Sequence, residues 1–359
     1  MSKTLIISDC HISNGATYSW FHAKERDLLT GWLAAATNDA DVNEIVLLGD
    51  FFDLWLYPIN QAPWTVAQIV VNNPDATAVV AALQSFMAPG RSVYYINGNH
   101  DMAVTQNDLA AAIPGVELKG YAAECASLHL EHGHLADMFN APPDAGDDTL
   151  GGYPLGYFIT RLVAIAEDQN AVWRGLRDAL RAFSVYHSAI SVQAADTSRA
   201  LGLRGINIPQ WIGSQLVKVV MDFIQGATGV SDGVSIIFPS APPGAAPAGA
   251  TVGDIRKHYS DLIKKWIASY PQVSDLLRTM VATESLDWYA EKLHGTTAAG
   301  KTIVMGHTHQ AVAPNDYYYN DGDWCDSSLL VSGCPTPHFV VIDTATGNRM
   351  KAWPTSPPI

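Results

Sequence analysis

Gly98-Asn99-His100-Asp101 follows closely on the apolar run Val93–Ile96. Short apolar runs rich in β-branched and aromatic residues that end at polar loops are typical of buried strands. The quoted stretch therefore places an amide, an imidazole and a carboxylate just after the carboxyl end of a strand. Ligands bind at that edge of an α/β sheet, so the stretch indicates both a fold class and a site.

Four further stretches repeat this pattern of polar, metal-ligating residue types at a strand end. They are Ile7-Ser8-Asp9-Cys10-His11, Gly49-Asp50-Phe51-Phe52-Asp53, His132-Gly133-His134 and Gly306-His307-Thr308-His309. Apolar runs lead into three of them, and the alternating segment Leu128–Glu131 leads into His132. We therefore expect side chains from five strand ends to meet at one site.

The order of the patterns predicts an α/β core that is interrupted once. Strand and helix patterns alternate over residues 1–134, helical patterns fill residues 135–300, and strand patterns return over 301–353. A Pro/Ala/Gly tract at 238–250 is interpreted as a flexible linker inside this mainly helical insertion. Three segments of the last block are expected to form antiparallel strands: Tyr317–Tyr319, Leu329–Ser332 and His338–Asp343.

Two features of the insertion leave alternatives open. Ile212–Ile224 is apolar nearly all round, which favours a buried helix. The same segment could instead line an acyl-chain groove, contact a membrane surface or form a subunit interface. Arg174, Arg177 and Arg181 share one helical face, which suits either a solvated surface or a phosphate clamp.

The formal net charge of −14 makes nucleic acid an unfavourable partner. The four cysteines form no Cys-x-x-Cys pair, which suggests a reducing compartment more than a disulfide framework. No apolar run reaches the ~18 residues of a membrane span. The expected location is the cytoplasm.

The residue types of the five stretches suit two divalent cations that share a carboxylate. Asp50 is the best bridge, with Asp9, His11 and one late histidine completing one metal. Asn99, His132 and the other late histidine would complete the second. Mixed nitrogen and oxygen ligands favour manganese, iron, zinc, cobalt or nickel over calcium, with manganese preferred.

The catalytic assignments follow from this arrangement. A hydroxide that bridges the two metals is expected to attack phosphorus in line. The His100 ring is expected to face the substrate, where it could stabilise phosphoryl charge or protonate the leaving oxygen. Asp53 or Asp101 could hold that ring in the required tautomer.

The five stretches, in this order, resemble the signature of the calcineurin-like metallophosphoesterase superfamily. The resemblance covers residues 1–134 and 301–353 and implies a four-layer α/β/β/α sandwich, here with a helical cap as its insertion. It implies that His100 is catalytic. It also implies two ligand sets: Asp9, His11, Asp50 and His309 for one metal, and Asp50, Asn99, His132 and His307 for the other.

Departures from the superfamily's branches narrow the expected activity. Phosphoprotein phosphatases carry an arginine after the second aspartate of their Gly-Asp motif, whereas Leu54 follows Asp53 here. Protein dephosphorylation is therefore not expected. The segment Gly49–Trp55 looks more like the UDP-diacylglucosamine pyrophosphohydrolase branch, which has arginine where this chain has His100 and aspartate where it has His134.

The expected function is metal-dependent hydrolysis of a phosphodiester or pyrophosphate bond in a phosphorylated small molecule or lipid-linked substrate. The alternatives are a lipid-precursor pyrophosphatase of the UDP-diacylglucosamine type, a phosphomonoesterase, a nuclease, and a metal-bound scaffold without catalysis. The acidic surface argues against the nuclease. An oligomer formed through the helical insertion stays an open alternative.

Overall fold

The computed structural model describes residues 2–88, 90–125, 127–142, 149–180, 182, 208–238, 249–268, 278–279, 285–326, 336–343 and 347–353. The chain divides into two compact units. The first contains Met1–Leu56, Pro63–Ala136 and Thr283–Ile359, and the second contains Tyr57–Ala62 and Asp137–Ala282.

The secondary structure alternates between strands and helices through the first half of the chain. In chain order the elements are β1 (Lys3–Ile7), α1 (Ala23–Asn38), β2 (Val42–Leu48), α2 (Val66–Asn72), α3 (Pro74–Met87), β3 (Ser92–Ile96), α4 (Gln106–Ala112), β4 (Glu117–Leu118), β5 (Ala122–Glu124), β6 (Leu128–Glu131), α5 (Leu155–Val163), α6 (residues 169–180), α7 (Ile208–Thr228), β7 (Ser235–Ile237), β8 (Gly249–Thr251), α8 (Val252–Ala268), α9 (Asp287–His294), β9 (Thr302–Met305), β10 (Ala311–Val312), β11 (Tyr318–Asp321), β12 (His338–Asp343) and β13 (Arg349–Ala352).

Two sheets form the centre of the first unit. The six-stranded sheet has the order β13-β12-β1-β2-β3-β4, in which β1 to β4 run parallel. The five-stranded sheet has the order β10-β11-β9-β6-β5, in which β11, β9 and β6 run parallel. The carboxyl ends of parallel neighbours lie at one edge of each sheet, and these are the strands that precede the polar stretches.

Alternate residues of the strands fill two separate cores, because successive side chains point to opposite faces of a strand. In β1, Ile6 packs between the sheets with Val46, Ile96 and Val304. Leu5 and its neighbours on the other face pack against the helices, as does Leu29 of α1.

The far side of the second sheet is also buried. Ile303 and Met305 are fully buried, and Ala290 and Leu293 of α9 are buried in the same unit. The predicted α/β sandwich of two sheets and flanking helices is confirmed.

A capping residue ties one of these helices to the first polar loop. The side chain of Asn73 accepts a hydrogen bond from the Asp75 N–H at 2.9 Å and donates one to the carbonyl of Ser13 at 2.8 Å. Pro74 occupies the first helical position, where its missing N–H costs nothing. The start of α3 therefore fixes the loop that follows Asp9 and His11.

One sequence prediction about the sheets is wrong. The segment around Tyr318 is not purely antiparallel, because β11 pairs in parallel with β9 and antiparallel only with β10. The antiparallel prediction for His338–Asp343 is confirmed by its pairing with β1. The predicted strand Leu329–Ser332 lies outside the described residues.

The second unit is organised around an arginine that has no solvent exposure. Arg161 of α5 donates hydrogen bonds to the carbonyls of Tyr57, Pro58, Gln61 and Ile237 at 2.5–2.9 Å. It also contacts the hydroxyl of Tyr157 at 2.5 Å. One guanidinium thus joins the short 57–62 segment, helix α5 and strand β7.

The apolar helix of this unit is buried, as its pattern favours. Five apolar side chains of α7 are fully buried: Leu216, Val217, Val220, Met221 and Ile224. Of the Pro/Ala/Gly tract at 238–250, residues 239–248 lie outside the described residues, and Gly249 and Ala250 belong to β8. That the insertion acts as a cap stays a prediction.

The two described arginines of the α6 face differ in exposure, because Arg177 is only partly exposed. Arg174 is exposed, and Arg177 lies 3.5 Å from the carboxylate of Asp178. Arg181 lies outside the described residues. Within the described part of the chain no single helix is long and apolar enough to cross a membrane, and only α2 and α3 together, bent by 102°, have that length and composition.

Candidate metal centre

The five polar stretches meet where the parallel strands of the two sheets end. Backbone hydrogen bonds join the first two loops directly: the N–H of Asp9 donates to the carbonyl of Gly49 at 3.1 Å, and that of His11 donates to the carbonyl of Asp50 at 2.8 Å. The N–H of His307 donates to Asp9 Oδ2 at 2.9 Å, which brings in the fifth loop.

The backbone is strained at the same residues. Positive φ angles of 52° to 71° occur at five of them: Asp9, His11, Asp50, His307 and His309. Among the described non-glycine residues only Leu150 shares this left-handed conformation. Such conformations cost about 1–3 kcal/mol each and cluster at functional sites. The surrounding fold therefore holds these side chains in directions that an ordinary turn would not give.

Two glycines of the motifs are required by close packing. A Cβ on Gly98 would overlap the carboxylate and backbone nitrogen of Asp50. A Cβ on Gly306 would overlap Ser8 Oγ and Asp9 Oδ2. Each glycine lets its loop approach a carboxylate from a different loop.

One group of side chains gathers around Asp9. Its Oδ1 lies 3.2 Å from His309 Nε2 and 3.8 Å from His11 Nε2. The two imidazoles approach each other through their Nε2 atoms at 3.3 Å. Asp50 Oδ2 lies 3.8 Å from His11 Nε2, so two carboxylates and two imidazoles share one small volume.

A second group gathers on the other side of Asp50. The same Oδ2 atom lies 3.2 Å from His132 Nε2. His132 Nδ1 lies 2.9 Å from the carbonyl of Leu48 and donates to that oxygen, so Nε2 is the ring nitrogen that faces Asp50. His307 Nδ1 lies 3.1 Å from Asn99 Oδ1, at the same site.

The arrangement fits divalent cations. Asp9 Oδ1 and His132 Nε2 are fully buried and have no hydrogen-bond partner among the described residues. Buried polar atoms are almost always paired, so such atoms call for an ion or water. Asp9, Asp50 and His132 offer ligand atoms within 4.8 Å of one another, as do His11, Asp50 and His100.

The electrostatics of the cluster point the same way. Burial alone would raise the pKa of Asp50, but the charge of His132 and His100 outweighs it and holds that pKa well below its ordinary value. Burial opposes the charge on His132, but Asp50 and Asp9 raise its pKa to about 10. Asp50 and Asp9 thus favour the protonated form of His132, and a cation bound at its Nε2 would take the place of that proton.

His100 and Asp53 lie in contact beside this cluster. Asp53 Oδ1 lies 3.0 Å from His100 Nδ1, and its Oδ2 lies 3.1 Å from His11 Nδ1. The carboxylate therefore faces the Nδ1 atoms of both imidazoles, as a hydrogen-bond partner of His11 and at ion-pair distance from His100, whose Nδ1 has no partner in hydrogen-bond geometry among the described residues. This leaves both Nε2 atoms available. The backbone N–H groups of Trp55 and Leu56 each donate to Asp53 Oδ1 at 2.8 Å.

Within the described part of the chain, the Asp101 carboxylate makes no hydrogen bond or ion pair with the His100 ring. Its carboxylate accepts hydrogen bonds from the N–H of Gly98 at 2.6 Å and of Phe51 at 3.0 Å, and from the hydroxyl of Tyr95. Of the two candidates for holding His100, the structure favours Asp53. Asp101 instead fixes the Gly98 and Phe51 loops relative to each other.

The sequence model of the calcineurin-like phosphoesterase family matches residues 2–182, about half of the chain. This chain belongs to that family. It is therefore a metal-dependent phosphoric ester hydrolase, and the resemblance drawn from the five stretches is confirmed. No curated protein matches the sequence significantly. The family match ends before His307 and His309, so their place at the site rests on the structure.

Several residues at the site of this phosphoesterase were given no role in the sequence analysis. Asp323 Oδ2 lies 3.3 Å from His309 Nδ1, a contact that would orient a metal-binding imidazole. Ser8 Oγ lies within hydrogen-bond distance of Asp9 Oδ2 and 2.8 Å from Asp321 Oδ1. The signal was Asn320-Asp321-Gly322-Asp323 directly at the end of β11, a sixth strand-end stretch of the same kind.

His134 belongs to the stretch His132-Gly133-His134 but has no role in the site as described above. It is fully buried, and neither ring nitrogen has a hydrogen-bond partner among the described residues. Burial lowers its pKa well below the ordinary value, and the nearby charge of His132 and His307 lowers it further. The ring is therefore neutral. It lies 5.6 Å from the His132 ring and 5.5 Å from that of Tyr121, measured between centroids.

Proposed function

We propose that this phosphoesterase binds two divalent cations that share Asp50. The observation that carries the proposal is the position of Asp50 Oδ2, 3.8 Å from His11 Nε2 and 3.2 Å from His132 Nε2. Asp9, His11 and His309 would complete the first site. Asn99, His132 and His307 would complete the second.

The donor set is mixed nitrogen and oxygen, which favours manganese, with iron, zinc, cobalt and nickel as alternatives. When bound, two such cations supply Lewis acidity and a water of lowered pKa as nucleophile. The protein's own part is to hold the ligands rigidly, which the strained backbone and the packed glycines support.

His100 is proposed to serve the leaving group. Asp53 engages its Nδ1, so Nε2 is the atom free to donate a proton or a hydrogen bond to the substrate. Such a donor matters most when the leaving oxygen is a poor leaving group. We therefore propose that the substrate is an organic phosphodiester or pyrophosphate, in a phosphorylated small molecule or a lipid-linked one.

The test is hydrolysis of bis(p-nitrophenyl) phosphate by the full chain reconstituted with manganese. Asp50→Ala should abolish turnover and lower the metal stoichiometry measured by calorimetry. His100→Ala should keep the stoichiometry and lose roughly 10²–10⁴-fold in kcat on diphenyl phosphate, whose leaving group is poorer, and much less on the nitrophenyl ester. His294→Ala, on helix α9 and stacked on Tyr317, is the matched control and should behave as wild type.

Two results would overturn the proposal. One is a metal-loaded wild type that hydrolyses neither this diester nor p-nitrophenyl phosphate. The other is an Asp50→Ala variant that still binds two cations. Faster hydrolysis of the monoester than of the diester would retain the metal site and reject the substrate class.

A further inference from the structure

Three consecutive residues surround His100 from different sides. Asp53 Oδ1 lies 3.0 Å from its Nδ1. The N–H of Leu54 donates to its carbonyl at 3.1 Å. The indole of Trp55 stacks on its ring, with centroids 4.6 Å apart and planes inclined at 29°. The stretch Gly49–Asp53 and the two residues that follow it thus contact both the side chain and the backbone of His100.

The stacking leaves the imidazole little freedom. The His11 ring meets it edge-on, with centroids 4.6 Å apart at 88°, and the indole of Trp20 lies 5.8 Å away. Offset stacked and edge-to-face contacts are the favoured arrangements of aromatic pairs. Trp55 is itself only 1% exposed, so its indole is a packing element of the site and offers no free face to a ligand.

Trp55 contributes through two separable groups. Its backbone N–H donates to Asp53 Oδ1, the same atom that faces His100 Nδ1. Its indole covers one face of the His100 ring. A side-chain substitution removes the indole and leaves the N–H in place, so the effect of the stack can be measured by itself.

We propose that Trp55 is a positioning residue for His100. The indole holds the imidazole ring in the plane in which Nδ1 meets Asp53, which keeps Nε2 directed at the leaving oxygen. It also excludes water from one ring face. This inference rests on the proposed function, because it assigns Trp55 a role only through proton donation by His100.

The first experiment is a double-mutant cycle on two diesters, using the full manganese-loaded chain. The diesters are bis(p-nitrophenyl) phosphate and diphenyl phosphate, which carry a good and a poorer leaving group. Trp55→Leu should lower kcat at least ~10-fold on diphenyl phosphate and less than ~3-fold on the nitrophenyl ester, as general acid catalysis implies. In a His100→Gln background the same substitution should change kcat less than ~2-fold, because groups that act as a unit are not additive.

Two further variants test whether the loss of activity in Trp55→Leu merely reflects lost packing in a buried core. Phe86→Leu also shortens a fully buried aromatic side chain, in α3 beside Arg91. It should show no dependence on the leaving group. Trp55→Phe keeps an aromatic face and should recover most of the activity on diphenyl phosphate.

The second readout does not need turnover. A ring stacked on an indole is shielded, so the carbon-bound ring protons of His100 should resonate upfield in the spectrum of the metal-free chain. Trp55→Leu should shift them downfield, whereas Phe86→Leu should leave them in place. If Trp55→Leu does not fold, as judged by circular dichroism, Trp55→Phe alone carries both readouts, with a smaller shift and a smaller loss.

The outcomes separate this inference from the proposed function. An inert metal-loaded wild type would reject the proposed function, and the role assigned to Trp55 would fail with it. An active wild type in which Trp55→Leu costs the same factor on both diesters, with or without His100, would overturn the positioning role alone. Unshifted His100 resonances in Trp55→Leu would overturn it as well.

Discussion

Replacement of Arg161 by methionine should open the second unit locally. The methionine side chain fills much of the volume of the arginine stem but makes none of its hydrogen bonds. Four backbone carbonyls would lose a buried donor: those of Tyr57, Pro58, Gln61 and Ile237. Among the described residues, the hydroxyl of Tyr157 is the one side-chain partner that would also be lost.

The expected loss of free energy of unfolding in Arg161→Met depends on two opposing contributions. A hydrogen bond from a charged group contributes about 1.5–3 kcal/mol, so five would give roughly 8–15 kcal/mol. Burial of the guanidinium costs several kcal/mol, and the variant no longer bears that cost. Loss of one partner from a buried charged network typically costs about 3–5 kcal/mol, and we expect a loss of this size, which is a large fraction of the stability of most domains.

Native-state hydrogen exchange measures this loss where it occurs. The Ile237 N–H donates to the carbonyl of Ile59 at 3.0 Å, so its exchange reports opening of the 57–62 segment. Arg256→Met in the same unit removes a partly exposed ion pair with Asp222 and should change the opening free energy far less. If the amides of Ile237 and α5 in Arg161→Met keep their protection to within about 1 kcal/mol, the guanidinium does not hold the unit together.

Manganese at a hundred times its dissociation constant should raise the free energy of unfolding by about 2.7 kcal/mol, and Asp50→Asn should abolish this gain in urea titrations; an equal gain in the variant would contradict the ligand assignment. Gly98→Ala should weaken manganese binding in calorimetry because its Cβ would overlap Asp50, whereas Gly226→Ala, which meets no atom within 4 Å, should bind as wild type. The hydrogen bond to Glu131 raises the pKa of His129 despite its burial. The stability that His129 contributes should therefore be complete below about pH 6.5 and lost as the pH rises through its raised pKa. The difference in free energy of unfolding between wild type and His129→Gln should shrink as the pH rises above about 6.5, and a difference that grows would show that the sign is wrong.

The sequence was a reliable guide where a motif and its strand are adjacent in the chain. Asp9, Asp50, Asn99, His132 and His307 each come within a few residues of the strand that positions them. The sequence of one short segment therefore contains both the residue and its placement, and the structure brings these side chains together. Their roles as metal ligands stay a proposal.

Partners that come from distant segments were harder to predict. Asp101 directly follows His100 and Asp53 comes 47 residues before it. The sequence offers both as candidates, and only the fold shows that Asp53 reaches the ring. The sequence did not predict the parallel direction of β11. That direction depends on pairing with β9, and the residues of β11 alone do not specify it. The role of Asp323 depends on that direction, since a reversed strand would carry it away from His309.

His307 and His309 come late in the sequence, so the histidine cluster is completed late during synthesis of the chain. About 175 residues separate His132 from His307. At translation rates of about 5–20 residues per second, that interval lasts roughly 10–35 seconds. During that time the nascent chain carries four of the five loops that supply the proposed ligands, with the buried face of the second sheet still incomplete because β9 has not emerged. A cation captured early would meet only part of its coordination sphere, so metal retention should serve as a report that the final segment of the chain has been synthesised and has joined the sheet.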